Sequence, residues 1–231
     1  YYTSGSGVGR ILATPSPLHG RKVAAVGLGT GTLAAWGRKG DEFHFYEIND
    51  NVVRIAQETF HYLRDSQAKI DIRMGDARLT LEKLPPQNYD VIILDAFSSD
   101  AIPVHLLTLE AFATYRKHLR PGGVIAVHIS NRYLNLEPVV MRAAEHAKLS
   151  ALYFNNSGEV PEEADAEDAY SSDWILLSDD PATLRLTSLA KHGTVPKPPA
   201  AGIGPWTDER SDLLHVLVAD DDSFIAWLKN L

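Results

Sequence analysis

The sequence contains no cysteine among its 231 residues. This absence excludes disulfide frameworks, thiolate zinc sites and cysteine nucleophiles. No window approaches the roughly 18 consecutive apolar residues of a membrane-spanning helix. Basic residues are also few, with 22 Lys and Arg against 30 Asp and Glu, for a formal charge of −8. This balance argues against nucleic acid as the main partner, because phosphate backbones are bound by clusters of basic residues.

An initiating methionine is missing as well, since the chain starts with Tyr1-Tyr2. We therefore expect it to be part of a longer polypeptide. Hydrophobic residues make up 45% of the sequence, which is enough for a packed core. We predict a single domain over 1–231. It consists of an N-terminal segment (1–20), a core (21–150) and a C-terminal part (151–231).

Short apolar runs alternate with helical patterns along the first two thirds of the chain. The predicted strands are Lys22–Leu28, Glu42–Ile48, Lys69–Gly75, Asp90–Ala96, Gly123–Ser130, Ala151–Phe154 and Asp173–Ser178. The predicted helices are Thr32–Arg38, Asn51–Thr59, Ala77–Lys83, Val104–Leu119 and a stretch from Glu137 to about Lys148. Farther on, "DLLHVLV" and "SFIAWLKNL" read as a late strand and a C-terminal helix. Such alternation predicts an α/β fold with a mostly parallel sheet, covered by helices on both faces.

Parallel sheets of this kind bind ligands just outside the carboxyl ends of their strands. The stretch "VGLGTGTLA" places Gly27, Gly29 and Gly31 after the first strand, where glycines allow a tight turn and close approach to a ligand. Glu47 ends the second strand, 20 residues after Gly27, which is the position of a ribose-binding carboxylate. Asp76 follows the third strand and is either an adenine-side acceptor or an N-cap for the next helix. Together these residues indicate the adenosyl pocket of a Rossmann-like class I S-adenosylmethionine-dependent methyltransferase fold.

Five motifs in the same order resemble the spermidine synthase family, the polyamine aminopropyltransferases. They are "VGLGTGTLA", "YEIND", "GDARL", "YDVIILDAFSSDAIPVHLLTLEAF" and "LRPGGVIAVHIS". More narrowly, the chain resembles the spermidine-synthase-like domain found fused to, or derived from, bacterial transporter-like membrane proteins. This resemblance implies that the single domain over 1–231 is catalytic, with a nucleoside-binding core (21–150) and C-terminal strands and loops (151–231) that complete the sheet. The resemblance implies transfer of an aminopropyl group from decarboxylated S-adenosylmethionine to a polyamine such as putrescine, with release of methylthioadenosine.

The resemblance also implies the roles of individual residues. The residues expected to bind the adenosyl co-substrate are Gly27, Gly29, Thr30, Gly31, Glu47, Ile48, Asp76, Ala77 and Asp95. Asp95 and Asp100 match the two acids of the family's Asp-x-x-Asp motif, although two extra residues, Ala96 and Phe97, lengthen the spacing here. Because an alkylammonium must lose a proton before it attacks carbon, we assign Asp95 as the base and Asp100 as the anchor of the amine. A capping role in the following turn is the alternative for each of them. No metal is expected.

Several departures from the family pattern keep other functions open. Thr30 stands where the family usually has an aspartate that holds the aminopropyl ammonium, which leaves methyl transfer from S-adenosylmethionine as an alternative. Ala25 argues against methyl transfer, because ordinary methyltransferases usually carry an acid at that position. Only Tyr1 and Tyr2 remain of the family's N-terminal substrate-binding motif, which leaves a non-catalytic domain that binds adenosyl ligands or polyamines as a third hypothesis.

Four further residues are candidates for the acceptor side of the pocket. His128 and Asn131 follow the fifth strand, and Trp206 and Asp208 are candidates for an aromatic wall and a third carboxylate. The resemblance further implies a cytoplasmic location, a homodimer of the kind family members often form, and attachment to a membrane protein.

Overall fold

A seven-stranded sheet forms the centre of the molecule in a computed structural model, which describes residues 2–15, 20–96, 103–156, 172–200 and 202–218. The strands are β1 (Lys22–Val26), β2 (Glu42–Glu47), β3 (Lys69–Met74), β4 (Tyr89–Leu94), β5 (Leu119–His128), β6 (Ser150–Asn155) and β7 (Asp173–Ser178). Their spatial order is β3-β2-β1-β4-β5-β7-β6, in which β7 runs antiparallel to both of its neighbours and the other pairs are parallel. This order confirms the predicted fold class.

Helices pack on both faces of the sheet and bury two separate hydrophobic clusters. The α-helices are α1 (Gly7–Ala13), α2 (Asp50–Glu58), α3 (Tyr62–Asp65), α4 (Ala77–Lys83), α5 (Leu109–His118), α6 (Glu137–Ala147), α7 (Pro181–Leu184) and α8 (Thr187–Ala190). Side chains of α4, α5 and α6 belong to one cluster, and those of α1, α2, α7 and α8 belong to the other. No helix in the described ranges is long and apolar enough to cross a membrane.

The central strands are apolar on both sides, as strands covered on two faces must be. In β1, Ala24 and Val26 face one cluster while Val23 and Ala25 face the other. All six residues of β4 are buried. The carboxyl ends of β1 and β4 therefore lie side by side at the centre of the sheet, with Val26 paired to Leu94.

The predicted long helix over Val104–Leu119 is interrupted. A 3-10 turn covers Val104–Leu106, and α5 begins only after Thr108. The Thr108 side chain accepts a hydrogen bond from the Ala111 N–H at 3.3 Å, so this residue caps α5 and separates it from the turn. Thr32–Trp36 is likewise a 3-10 helix, shorter than the predicted Thr32–Arg38.

The predicted late strand "DLLHVLV" is wrong. Its residues form a 3-10 turn at Leu214–Val216, and Leu217 makes an isolated antiparallel bridge to Leu134. Val216 is buried, whereas Leu214 is 78% exposed, so this segment packs one side chain against the core without a partner strand. The helix predicted for "SFIAWLKNL" lies outside the described residues.

Candidate active site

The glycine loop after β1 adopts backbone conformations that favour glycine. Gly27, Gly29 and Gly31 have φ angles of 96°, 53° and 82°. The Gly27 N–H donates to the carbonyl of Tyr46 at 2.9 Å, which joins the loop to the end of β2. A Cβ atom on Gly27 would lie 2.4 Å from the carbonyl oxygen of Asp95, whereas one on Gly29 would meet nothing within 4 Å. Position 27 therefore requires glycine, because a side chain there would clash with the main chain at the end of β4.

Replacing Gly27 by alanine is expected to destabilise the fold more than a positive φ alone explains. Gly202 has φ 102°, and a Cβ atom on it would meet nothing within 4 Å, so Gly202→Ala is the matched control. Each variant carries strain of about 1–3 kcal/mol. Only Gly27→Ala also forces the main chains of β1 and β4 apart. Chemical denaturation should give a larger loss of unfolding free energy for Gly27→Ala, and equal losses would contradict the steric argument.

A cavity of about 550 Å³ opens beside this loop at the carboxyl edge of the sheet. Its volume lies in the range of sites for drug-sized ligands and cofactors. Seven of the nine residues predicted to bind the co-substrate line it: Gly27, Gly29, Glu47, Ile48, Asp76, Ala77 and Asp95. Thr30 and Gly31 are not among the lining residues. The Thr30 hydroxyl lies 2.7 Å from that of Thr32, and Gly31 caps the 3-10 helix.

Glu47 is the last residue of β2 and is nearly buried, with 9% of its surface exposed. Its Oε1 accepts hydrogen bonds from the backbone N–H groups of Ile48 and Asn49, each at 2.9 Å. Its Oε2 accepts from the Leu28 N–H in the glycine loop at 3.1 Å. These three bonds hold the carboxylate on the cavity wall.

Asp76 both caps α4 and lines the cavity. Its Oδ1 accepts from the Leu79 N–H at 2.8 Å, so the N-cap alternative considered from the sequence is realised. Its Oδ2 lies 2.7 Å from Nε2 of His105, which also lines the cavity and was not predicted from the sequence. His105 lay inside the predicted long helix, and the break in that helix brings its side chain to Asp76.

Asp95 follows β4, and its side chain is only 10% exposed. Oδ2 accepts a short hydrogen bond from the hydroxyl of Tyr2, which comes from the N-terminal segment. Oδ1 lies 2.8 Å from Nδ1 of His128 at the end of β5. The main-chain carbonyl of Tyr2 accepts from the indole N–H of Trp36 at 2.9 Å, which ties this segment to the fold. The structure thus brings together three polar side chains that are far apart in sequence.

Other candidates lie elsewhere. Asp100 falls outside the described residues. The amide oxygen of Asn131 accepts from the N–H groups of Tyr133 and Leu134, at 2.9 and 2.8 Å, as in a local turn. Trp206 is 1% exposed and belongs to the hydrophobic cluster beneath α4, α5 and α6, so the prediction of an aromatic pocket wall is wrong. The packing partners of Trp206 are distant in sequence, so the residues around it do not indicate whether its indole lies in the core or in the cavity.

Asp208 was a candidate third carboxylate, and that prediction is also wrong. Its side chain forms a bidentate ion pair with the guanidinium of Arg78. It also accepts a hydrogen bond from the Thr108 hydroxyl at 2.9 Å. It lines a neighbouring cavity rather than the one beside the glycine loop. The hydrogen bonds from Arg78 lower the pKa of Asp208 from 3.8 to about 2.

Because the pKa of Asp208 is lowered in the folded state, its ion pair stabilises the fold when the carboxyl is charged. The stabilisation is present above pH 3.8 and is lost as the pH falls towards about 2. The Asp208 side chain is 42% exposed, so solvent screening limits the effect to about 1 kcal/mol. Asp208→Asn should lower the unfolding free energy at pH 7. The difference from the unaltered protein should become smaller as the pH falls towards 3. Asp65→Asn, at an exposed pair with Arg64, is the control. A deficit independent of pH would contradict this assignment.

The described residues contain no group of three or more His, Cys, Asp or Glu side chains arranged to hold a metal ion. The lining of the cavity instead combines close backbone approach at Gly27, two carboxylates held by backbone N–H groups, and a third carboxylate held by side chains. This donor set fits a nucleoside, whose hydroxyl and amino groups donate hydrogen bonds to such acceptors.

The strand order with an antiparallel β7, the glycine loop and the acid at the end of β2 define the class I S-adenosylmethionine-dependent methyltransferase-like fold. A sequence profile of the Methyltransferase small domain family matches residues 8–152. The chain belongs to this family.

Curated relatives are consistent with the motif resemblance. The chain is 31% identical over 123 residues to "Polyamine aminopropyltransferase" of Vibrio vulnificus, covering 51% of this chain and 40% of that protein. It is 32% identical over 126 residues to "Probable polyamine aminopropyl transferase" of Bifidobacterium longum, covering 52% of this chain and 26% of that protein. It is also 26% identical over 98 residues to "Putrescine N-methyltransferase 2" of Nicotiana tabacum, covering 42% and 28%. The chain thus spans less than half the length of each of these proteins.

A solved structure agrees on the fold. The crystal structure of a probable spermidine synthase from Corynebacterium glutamicum superposes with a TM-score of 0.60 at 22% identity, over 90% of this chain and 79% of that one. The relatives confirm the resemblance to the spermidine synthase family and support a transferase. Fusion to a transporter-like protein stays a prediction.

Proposed function

We propose that this chain is the nucleoside-binding and catalytic domain of an aminopropyltransferase acting on polyamines. One observation carries the proposal. The Asp95 carboxylate lies on the wall of the same cavity as Gly27, Glu47 and Asp76. A nucleoside held by the last three residues therefore has a buried carboxylate beside it, where a base for an attacking amine is needed. The names of the two aminopropyltransferase relatives support this reading.

In this proposal the residues at the strand ends hold the adenosyl group of decarboxylated S-adenosylmethionine. Gly27 and Gly29 let the ligand approach the main chain. Glu47 accepts from a ribose hydroxyl, since a carboxylate has about four lone-pair sites and the backbone occupies three, which leaves one. Asp76 accepts from the adenine amino group, and the Ala77 N–H faces a ring nitrogen. Ile48, which is 74% exposed, contributes an apolar surface at the mouth of the cavity.

Asp95 acts on the acceptor amine. An alkylammonium has a pKa of about 10.4, so at neutral pH its nitrogen has no free electron pair. Asp95 accepts one proton from it. The neutral nitrogen then forms a bond to the carbon next to the sulfonium, the carbon–sulfur bond breaks, and the electron pair remains on sulfur as a thioether. The product ammonium carries the positive charge, and one proton is released per turnover. In-line placement of the two reactants supplies much of the rate.

The acceptor is proposed to be a polyamine of the putrescine type. The relatives named as polyamine aminopropyltransferases and as a putrescine N-methyltransferase support this class. The negative charge of the chain is compatible with a cationic acceptor. Asp100 keeps its predicted role as the anchor of the second ammonium, a role that rests on the motif alone.

Methyl transfer from S-adenosylmethionine is the second candidate. Thr30 replaces an acid of the family and contacts Thr32, so position 30 supplies no carboxylate for the aminopropyl ammonium. The family profile and the N-methyltransferase relative favour the same alternative. Ala25, buried near the end of β1, argues against it because ordinary methyltransferases usually carry an acid there.

The deciding experiment supplies each donor separately with a panel of diamines and polyamines, and identifies the products by mass spectrometry. Methylthioadenosine and an aminopropylated amine, formed from the decarboxylated donor, would support the proposal. S-adenosylhomocysteine and a methylated amine would establish methyl transfer instead. Adenosyl binding without product from either donor would leave a non-catalytic binding domain and overturn both candidates.

A further inference from the structure

We infer that His128 is a positioning residue, which orients the Asp95 carboxylate so that one defined oxygen faces the acceptor amine. The inference rests on the proposed function, because it assigns how the base of that reaction is held. His128 was predicted from the sequence only as a residue lining the acceptor pocket. It does not line the cavity beside the glycine loop. It contacts Asp95, which does line that cavity, through Oδ1.

The contact between the two side chains is close and shielded from water. His128 Nδ1 lies 2.8 Å from Asp95 Oδ1, and the side chains are 6% and 10% exposed. At this depth a hydrogen bond to a carboxylate is stronger than at the surface, and its direction is better maintained. The imidazole therefore engages Oδ1, while Oδ2 points towards the hydroxyl of Tyr2 on the cavity side.

Asp95 and Ser130 together determine which ring nitrogen of His128 carries the proton. The Asp173 N–H donates to Ser130 Oγ at 2.6 Å, so the hydroxyl proton of Ser130 is available for another acceptor. His128 Nε2 lies 3.0 Å from the same Oγ. Asp95 as a carboxylate only accepts, so the neutral ring carries its proton on Nδ1 and donates it to Asp95, while Nε2 accepts from Ser130. The hydrogen bonds thus form one directed chain from Asp173 through Ser130 and His128 to Asp95.

The ring of His128 is fixed by packing as well. His128 is the last residue of β5 and pairs in register with Trp174 of β7. Its ring stacks on the Trp174 indole with 4.7 Å between centroids and 21° between planes. Trp174 is fully buried, and its indole N–H donates to Ser172 Oγ at 3.1 Å. The imidazole is therefore held at a set angle to Asp95 before any substrate binds.

The consequence concerns the geometry of proton transfer. With Oδ1 engaged by His128, the proton leaving the ammonium reaches Oδ2, the oxygen on the cavity side, which has a second lone pair beside the one that accepts from Tyr2. If the His128 bond is lost, only the bond from Tyr2 still holds the carboxylate, and its two oxygens can exchange by rotation about the Cβ–Cγ bond. Misplacement of a reacting group by about 1 Å can cost about 100-fold in rate. His128 should therefore affect kcat while leaving binding of the adenosyl group unchanged.

Two conservative variants separate the two bonds of His128. His128→Asn places an amide nitrogen near the position of Nδ1 and can still donate to Asp95. His128→Gln places its amide near Nε2 and keeps only the Ser130 contact. We expect His128→Asn to retain kcat within about 10-fold and His128→Gln to lose about 100-fold. The Kd of methylthioadenosine should be unchanged in both. The control is His146→Asn, at an exposed position of α6. Equal losses in the Asn and Gln variants would overturn the inference.

A second measurement does not depend on turnover. Nitrogen-15 NMR of the imidazole rings, assigned with the His128→Asn variant, reports which nitrogen is protonated at a pH where imidazoles are neutral. We expect the Nδ1–H form for His128, with a shift towards the Nε2–H form in Ser130→Ala. An Nε2–H form in the unaltered protein would overturn the inference. If the protein transfers no aminopropyl group yet shows the Nδ1–H form, the proposed function fails while the hydrogen-bond chain stands.

Discussion

Replacing Asp95 by asparagine is expected to lower kcat for aminopropyl transfer by about 10²–10⁴-fold, the usual contribution of a positioned general base. An amide cannot accept the proton that the ammonium must lose, and the variant retains the size and shape of the side chain. Methylthioadenosine should bind with a nearly unchanged Kd, because its proposed contacts are at Gly27, Glu47 and Asp76. Initial rates and calorimetry on the same preparation measure both quantities.

The control for this experiment is Asp65→Asn, which makes the same chemical change at a side chain that is 66% exposed. It should leave kcat within about twofold of the unaltered protein, as is usual for a surface substitution away from special features. An Asp95→Asn variant that keeps most of its activity would show that Asp95 is a structural acceptor for His128 and Tyr2 and is not the base.

Replacing Glu47 by glutamine is expected to weaken binding of methylthioadenosine by about 100-fold. Glutamine has one acceptor oxygen where glutamate has two, and it has no charge. The variant must therefore give up either a backbone partner among Leu28, Ile48 and Asn49 or a ribose hydroxyl. Hydrogen bonds to charged groups contribute about 1.5–3 kcal/mol, and about 1.4 kcal/mol is a factor of ten. Titration calorimetry measures the change directly.

Glu58→Gln is the matched control, since Glu58 is exposed at the end of α2. Its Kd should equal that of the unaltered protein. If Glu47→Gln keeps the original Kd while its thermal stability falls, Glu47 stabilises the glycine loop and does not bind the ribose.

Much of the fold was predictable because its central strands carry a simple signal. Strands covered on both faces must be continuously apolar, and the run at Val91–Leu94 needs no partner to be recognised. The residues at strand ends were predictable for a related reason. In a parallel sheet all carboxyl ends meet at one edge, so Glu47, Asp76 and Asp95 converge on one cavity once the strands are known.

The features that were missed depend on contacts between distant parts of the chain. Arg78 and Asp208 are 130 residues apart, and nothing near Asp208 indicates that an arginine neutralises it. The break before α5 depends on a single cap at Thr108, and helical periodicity continues across it. Trp206 and the "DLLHVLV" segment follow a proline- and glycine-rich connector, so their positions are set by the surface on which they pack.

The contact between Gly27 and the main chain of Asp95 has an evolutionary consequence. The Asp95 N–H donates to the carbonyl of Val26 at 3.0 Å, so the carboxylate and the glycine loop belong to one backbone unit across β1 and β4. Their separation does not depend on the side chains that surround the cavity. Residues at the rim can therefore change while the Asp95 carboxylate, the proposed base, keeps its place relative to the glycine loop. Such a scaffold allows substrate choice to diversify among descendants that share the same chemistry.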